Sequence, residues 1–451
     1  MSEPAPRPPA AAATLDRRAL VGWRNAVFLV FAFNGIFLAT WLARTPVIRD
    51  LLGASTATMG WIVFSLAVGS IVGLTISSHL IAVGGTRTGI LAGMAATGAG
   101  LVTAGCGAAL LESKPVVVLG LFVFGFGTGL VDVSMNVEGA AAERALRRTI
   151  MPLFHACFSF GTMIGAGIGV LCEHLGVALV PQVLVLAVIL VAVTGVAIRR
   201  LRNDELLALG ESLPTSPAAE SAEFAVAAAA GEPVTEPAPA PAAAGGWRQR
   251  LGIWRDRRTL LIGLIVLGMA FAEGSANDWL ALAIVDGHHV SNATGALVFG
   301  LFVTAMTVGR VLGGPVLDRF GRVAVLRATG ALAAVGLVVV IFVPNPVVAA
   351  VGVVVWGLGA SLGFPVGMSA AADDPKTAAA RVSAVATIGY CAFLVGPPVI
   401  GLLGQHIGLL HALLVVLVLV AVAALASGAA REAHRSRGAM PALPVDATRT
   451  G

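Results

Sequence analysis

The chain has 451 residues, of which 57% are hydrophobic and 12% are charged. Soluble domains carry about 25% charged residues, so this composition excludes an ordinary water-soluble protein. The 29 Lys and Arg residues exceed the 24 Asp and Glu residues by only five, which is no argument for a nucleic-acid partner. The four cysteines lie inside apolar runs without metal-ligand spacing, so we expect no disulfide framework, no metal site and no cofactor.

Twelve apolar runs of roughly 20 residues follow one another, each long enough to cross a bilayer core as a helix. Residues 1–22 are rich in Pro and Ala and lack the pattern of a secretory signal, so they are predicted to be a disordered tail. Spans 1 to 6 are predicted near residues 23–44, 57–79, 89–110, 115–138, 153–174 and 177–198. They form an N-terminal half, residues 23–199.

Residues 200–258 form the only long hydrophilic stretch, and its Ala, Pro and Glu content predicts an unfolded linker. Spans 7 to 12 follow near residues 259–285, 294–317, 325–344, 347–370, 381–403 and 408–428. A C-terminal half, residues 259–428, is thus followed by a polar tail, residues 429–451. The sequence predicts an all-α polytopic membrane protein made of two six-helix halves.

The positions of Arg and Lys predict the orientation, because short cytoplasmic loops are enriched in them. Basic clusters follow span 4, at Arg144, Arg147 and Arg148, and span 8, at Arg319, Arg322 and Arg327. Both termini and the linker are therefore expected in the cytoplasm.

The two halves resemble internal copies, as is common in transporters built around a central site. Phe33 and Trp41 of span 1 precede Phe271 and Trp279 of span 7 by 238 positions. Gly69 and Gly73 of span 2 match Gly309 and Gly313 at an offset of 240, and Gly125 and Gly127 of span 4 match Gly357 and Gly359 at 232. We expect a pseudo-symmetric pair of halves.

The loop after span 8 reads Gly-Pro-Val-Leu-Asp-Arg-Phe-Gly-Arg from Gly314 to Arg322. It resembles the G-x-x-x-D-R-x-G-R loop motif of the major facilitator superfamily. The resemblance extends from Trp23 to about Ser427 and implies the twelve-helix fold of that family, transport by alternating access and a monomeric state. It also implies a cytoplasmic latch formed by Gly314, Asp318, Arg319, Gly321 and Arg322. The matching stretch after span 2 keeps Gly85 but lacks the Asp and Arg.

Two further sequence features bear on which branch of the superfamily the chain resembles. Asn34-Gly35, the segment from Trp41 to Pro46, and Asp132 to Asn136 resemble the fucose permease-like branch of the superfamily. The Gly-Pro pair of the antiporter motif in span 5 is missing, since Phe160 to Gly169 contains no Pro. Drug-proton antiport is therefore less favoured, without being excluded.

Ionisable side chains inside a bilayer are costly and mark functional sites by default. Span 7 carries the densest polar patch, with Glu273 near the predicted midplane and Asn277 on the same helix face. Glu273 is a candidate proton carrier, although a static hydrogen-bond network is the alternative. In spans 4 and 5, Asp132 and His155 are predicted at similar depth and are a second candidate proton relay, or else a structural hydrogen bond.

The remaining polar and aromatic positions suggest a solute site and an outer gate. The predicted solute-binding residues are Asn34, Trp41, Glu273, Asn277, Trp279, Trp356 and Tyr390. By repeat symmetry Trp41 and Trp279 would face each other, although membrane-interface anchoring is the alternative for both. Trp356 could instead face lipid. Arg44 is expected to pair with Asp278 as an outer gate.

The charged residues within the spans indicate which class of solute is transported. Arg310 of span 8 is predicted too close to the cytoplasmic side to bind it, which leaves the central third without a basic residue. A neutral polar, sugar-like solute moved by proton symport is therefore the leading hypothesis, with proton-coupled efflux of lipophilic cations as the rival. No catalytic motif of a membrane enzyme is present, so we expect a transporter rather than an enzyme.

Overall fold

The structure is a computed structural model that describes residues 17–146, 150–202, 253–373 and 378–431. Most of the predicted linker and the outer parts of both predicted tails lie outside these ranges. Span 1 begins at Arg17 and span 7 at Arg257, so both helices start earlier than the sequence predicted. The early starts place four arginines, Arg17, Arg18, Arg257 and Arg258, in the first helical turns.

The N-terminal half contains five long helices. They are Arg17–Leu51 (span 1), Thr56–Ala109 (spans 2 and 3), Lys114–Leu146 (span 4), Met151–His174 (span 5) and Leu179–Ala197 (span 6). Eleven described helical segments are long and apolar enough to cross a membrane. Because the 54-residue segment Thr56–Ala109 contains two spans, the twelve-span prediction is confirmed.

The C-terminal half repeats this plan. Its helices are Arg257–His288 (span 7), Asn292–Phe320 (span 8), Arg322–Phe342 (span 9), Pro346–Ala360 and Gly363–Ala371 (span 10), Ala378–Ile407 (span 11), and Leu409–Ala412 and Leu414–Ala426 (span 12). Successive spans alternate in direction. The starts of spans 1 and 7 and the end of span 12 therefore lie at one end of the bundle, which we call the linker side, and the opposite end is the far side.

Gly85 reverses the chain between spans 2 and 3. Its φ of 76° and ψ of 169° are not helical, and a positive φ of this kind is accessible to glycine at little steric cost. The equivalent residue between spans 8 and 9 is Gly321, with φ 75° and ψ 161°. The two halves thus use glycine in the same backbone conformation, 236 positions apart.

The glycines of the repeat allow close helix packing, but the structure corrects the predicted register of span 2. A Cβ on Gly125 would lie 2.0 Å from the Leu66 carbonyl oxygen, and one on Gly357 would lie 2.6 Å from the Phe302 carbonyl oxygen. Leu66 of span 2 therefore corresponds to Phe302 of span 8, at an offset of 236. The predicted offset of 240 was wrong by about one helical turn, because a glycine-rich helix matches itself almost as well one turn away.

The two halves touch each other mainly at the far side. A Cβ on Gly60 of span 2 would lie 2.8 Å from the carbonyl oxygen of Pro397 in span 11. Hydrogen bonds and an ion pair also join the halves at this end, at Arg49, Asp50 and Ala57. The far side is therefore closed in this conformation.

Candidate functional site

An ion pair between Glu273 and Arg310 occupies the middle of the C-terminal half. One terminal guanidinium nitrogen of Arg310 donates to both carboxylate oxygens of Glu273 at 2.8 Å. Arg310 also directs its Nε towards the Ser361 carbonyl oxygen, at 3.4 Å. The Glu273 side chain is 16% exposed and that of Arg310 is 32% exposed, so solvent-sized molecules still reach the pair.

The depth predicted for Arg310 from the sequence was wrong. Span 8 has 29 residues, about 43 Å at 1.5 Å per residue, and a bilayer core is about 30 Å thick. Arg310 precedes the end of the helix by ten residues and pairs with Glu273, which lies at the middle of the 32-residue span 7, so Arg310 lies deeper than the sequence predicted. The central third of the protein therefore does contain a cation, and Glu273 neutralises it.

Residues of the N-terminal half approach this pair from the other side. His155 of span 5 is exposed, with its ring centroid 5.2 Å from that of Phe31, and it lies within electrostatic reach of Arg310. Asp132 of span 4 lies within electrostatic reach of Tyr390 in span 11. Both relationships cross the boundary between the halves.

The predicted relay between Asp132 and His155 is not formed in this conformation. The Asn136 side chain is 3.5 Å from an Asp132 carboxylate oxygen, and no hydrogen bond joins Asp132 to His155 among the described residues. Each of the two instead faces a residue of the C-terminal half, because spans 4 and 5 both line the boundary between the halves. Asp132 and His155 are thus neighbours of the central site rather than partners of each other.

Four of the predicted solute-binding residues are buried away from this accessible surface. Asn34 is 1% exposed, and its amide nitrogen lies 4.0 Å from the sulfur of Met135. Trp41 and Trp279 are each 1% exposed, and Trp356 is fully buried with its ring 5.3 Å from that of Phe302. Trp356 is therefore not lipid-facing, and in this conformation no solute reaches these side chains. Asn277 and Tyr390 remain partly exposed, and Asn277 lies one helical turn from Glu273.

The predicted outer gate between Arg44 and Asp278 is wrong. Arg44 forms an ion pair with Glu173 of span 5 and donates a hydrogen bond to the Val177 carbonyl oxygen at 2.9 Å. Spans 1 and 5 pack closely here, since a Cβ on Gly169 would lie 2.7 Å from the Ala43 Cβ. Arg44 therefore points within its own half, and Asp278 has no ion pair among the described residues.

The latch loop is held by a carboxylate that sequence reasoning missed. Arg322 pairs with Asp373 at the end of span 10, at 2.5 Å, and Arg258 of span 7 reaches the same carboxylate at 2.9 Å. Asp318 is exposed and pairs with no cation among the described residues. The loop of the motif is therefore tied to its own half in this conformation.

The other latch residues have simple local roles. Arg319 is exposed, with its guanidinium carbon 5.4 Å from the ring centroid of Phe320. A Cβ on Gly314 would meet no atom within 4 Å, so the close helix approach in this part of span 8 occurs at Gly309 and Gly313. Gly321 provides the positive φ that ends span 8.

Glu143 is a second residue whose role the sequence concealed. It is 5% exposed and accepts hydrogen bonds from the backbone N–H groups of Ile150 and Met151, both at 2.7 Å. A carboxylate at a helix N-terminus satisfies free N–H donors and interacts favourably with the helix dipole. Glu143 thus anchors the start of span 5, the helix that carries His155.

Comparisons with known proteins agree with this architecture. The family model of the Major Facilitator Superfamily matches residues 26–391 and 274–442. An uncharacterised MFS-type transporter of Yersinia pestis is 27% identical over 84% of this chain and 88% of its own length. Membrane protein MosC of Rhizobium meliloti is 25% identical over 89% of each chain.

Two solved structures share the fold. The nucleoside transporter NupG has a TM-score of 0.61 and 15% identity, covering 91% of this chain and 98% of its own. FucP in an outward conformation, described as a fucose:proton symporter of E. coli, has a TM-score of 0.58 and 16% identity over 91% and 99%. The twelve spans, the two glycine-packed halves and the family match make this chain a multi-pass membrane protein of the major facilitator superfamily, a family of transporters rather than enzymes.

Proposed function

We propose that this protein carries a small neutral polar solute, such as a sugar-like molecule, across the cytoplasmic (inner) membrane in symport with protons. The observation that carries the proposal is the Glu273–Arg310 ion pair, which is central, accessible and electrically neutral. The twelve-span fold and the relatives named as transporters support alternating access as the mechanism.

The pair favours a neutral solute over a charged one. An anion would have to displace Glu273 from Arg310, and a cation would compete with Arg310 for Glu273. A hydroxyl-rich solute can hydrogen-bond to either partner without bringing a net charge to the site, and charge-assisted hydrogen bonds of this kind are stronger than neutral ones. Asn277, one helical turn from Glu273, adds a further donor and acceptor. The described functions of NupG and FucP, with nucleosides and fucose, fit the same solute class.

Glu273 is the proposed proton carrier. When Glu273 is protonated, its charge-assisted contact with Arg310 weakens, and Arg310 can turn its donors to the solute. Release of the proton restores the ion pair and favours release of the solute. His155 and Asp132 are proposed to assist from the opposite half, because they lie across the boundary from Arg310 and Tyr390.

The arginine-rich short loops favour a cytoplasmic linker side, with both termini inside. With that orientation, the closed far side makes this conformation inward-facing. The protein is proposed to act as a monomer, because each chain carries both halves that surround the site.

The test uses purified protein in liposomes with an external pH-sensitive dye, and adds neutral sugars, nucleosides or lipophilic cations outside. The variants are Glu273→Gln and, as a matched control, Glu112→Gln in the exposed turn before span 4. External alkalinisation with a neutral solute, retained in the control and lost in Glu273→Gln, is the expected result. Solute exchange without a pH change should persist in Glu273→Gln.

Two results would overturn the proposal. External acidification on adding cations would indicate efflux by antiport, the rival function. Neutral-solute uptake that is unaffected in Glu273→Gln, with its proton movement intact, would remove Glu273 as the carrier.

A further inference from the structure

We infer that Arg49 is the lock of the far side, because it bridges two carboxylates of opposite halves that would repel each other in its absence. The two carboxylates are Asp50, next to Arg49 in span 1, and Asp286 at the end of span 7. This gate is distinct from the Arg44–Asp278 pair predicted from the sequence.

Hydrogen bonds join four side chains in a row, those of Asp286, Arg49, Asp50 and Asn292. One terminal nitrogen of Arg49 lies 2.5 Å from both carboxylate oxygens of Asp286. The Arg49 Nε and its other terminal nitrogen donate to one oxygen of Asp50, at 2.9 and 2.7 Å. The second oxygen of Asp50 accepts from the Asn292 side chain at 3.0 Å. The end of span 1 is thereby joined to both sides of the turn between spans 7 and 8.

The internal repeat explains why the two carboxylates meet. Asp50 and Asp286 are 236 positions apart, the same offset as the glycine turns Gly85 and Gly321. The helix ends have this offset too, and not the 238 predicted from Phe33 and Trp41: the Ala54 N–H donates to the Arg49 carbonyl oxygen, and the Val290 N–H donates to that of Val285. The helix caps agree: Ser55 accepts from the Thr58 backbone N–H and Ser291 from that of Thr294, both at 3.2 Å. Asp50 and Asp286 are therefore symmetry-related residues that approach each other when the halves close.

The lock itself breaks the symmetry. Arg49 corresponds to Val285, so a single cation serves both carboxylates. Without Arg49 the closed far side would hold two like charges close together, and like charges in proximity are destabilising. The Arg49 side chain is 17% exposed, whereas Asp286 is 35% and Asp50 48% exposed.

These exposures make the lock weak enough to open in each transport cycle. Partly exposed ion pairs contribute little individually, and networks contribute more. The close contact of Gly60 with span 11 forms the apolar part of the same closure. The polar network therefore biases the closed state without making it permanent.

The test measures the far-side distance between the halves in the absence of any solute. Spin labels are attached at Lys114→Cys, at the start of span 4, and Pro344→Cys, in the turn after span 9, after replacement of the four native cysteines by serine. Both positions are exposed, and they lie at the far side of opposite halves. The distribution of distances between the two spin labels is compared for three proteins: unsubstituted Arg49, Arg49→Gln, and Arg49→Gln with Asp286→Asn. The matched control is Arg24→Gln, because Arg24 lies in the same span and its side chain bonds only to its neighbour Asn25 among the described residues.

In Arg49→Gln we expect the longer, far-open distance to gain population by roughly three- to tenfold, the range of a weak ion-pair network. Adding Asp286→Asn should reverse most of this gain, because it removes the repulsion without restoring the ion pair. Arg24→Gln should leave the distribution unchanged.

An unchanged distribution in Arg49→Gln would overturn the inference, and so would a double variant that is as open as the single one. If Arg49→Gln does not fold, Asp286→Asn alone replaces it; a smaller shift to the open distance is then expected, and no shift would count against the lock. Because no solute or proton movement is measured, failure here leaves the proposed symport untouched, and the reverse also holds.

Discussion

Alanine substitutions at three glycines should change stability in an order set by the space around each Cβ. Gly125→Ala places a methyl group 2.0 Å from the Leu66 carbonyl oxygen, about 1.4 Å closer than the 3.4 Å at which ordinary contact begins. Gly357 is the repeat partner of Gly125. The methyl group of Gly357→Ala would lie 2.6 Å from the Phe302 carbonyl oxygen, about 0.8 Å closer than ordinary contact. Gly167→Ala meets no atom within 4 Å.

The expected losses follow from these overlaps. The atoms in the way belong to helix backbones, so relief requires two helices to separate. Overpacking typically costs 1–3 kcal/mol and occasionally more. We therefore expect Gly125→Ala to lower the free energy of unfolding by about 3 kcal/mol and Gly357→Ala by about 1–2 kcal/mol. Gly167→Ala should be neutral or stabilising by up to about 1 kcal/mol, because alanine is the better helix former.

Thermal unfolding of the purified variants in one detergent measures the order. For a six-helix half that unfolds as a unit, 1 kcal/mol corresponds to roughly 2–4 °C in Tm. Gly125→Ala should therefore melt about 6–12 °C lower, and Gly357→Ala should lie between it and Gly167→Ala. Equal melting temperatures for Gly125→Ala and Gly167→Ala would refute the reasoning that spans 2 and 4 pack through backbone contact.

Three further outcomes are expected. In a double-mutant cycle on thermal stability, Glu273→Gln and Arg310→Gln should each cost about 1.5–3 kcal/mol, and the double variant should cost less than their sum, whereas strict additivity would mean that the ion pair is not formed. Glu143→Ala should lower stability by about 1–2 kcal/mol through lost capping of span 5, measured against the natural sequence, and an unchanged Tm would contradict the buried contact. The hydrogen bond from Thr259, the largest cause, lowers the pKa of Asp256 at the N-cap of span 7. The stabilisation by ionised Asp256 should therefore be complete at neutral pH and decline as pH falls from about 3.8 towards the lowered pKa, so Asp256→Asn should lose less stability at pH 3 than at pH 7, and an equal loss at both would contradict the reasoning.

Much of the fold could be predicted from the sequence because hydrophobic length and turn chemistry are local. The number of spans and the glycine reversal at Gly85 both follow from short stretches of residues. The repeat was also visible, but its register in span 2 was not. Only the contacts of Gly125 and Gly357 with neighbouring carbonyl groups select the offset of 236.

The candidate site was predicted in part. Glu273 and Asn277 were found because a polar patch inside an apolar span is costly and therefore informative. Arg310 was misplaced in depth because the sequence does not show how far a helix extends beyond the bilayer. Its partner was equally hidden, since Glu273 is 37 positions away on another helix.

The sequence by itself determined the membrane class, the twelve spans, the duplicated halves and the family, because each depends on composition, spacing or a contiguous motif. Tertiary structure alone decided which charges meet: Arg310 with Glu273, Arg44 with Glu173, and Arg49 with Asp286. The physical reason is that a side chain's partner depends on the rotation and depth of two helices packed together. Neither quantity is contained in the order of residues along one of them.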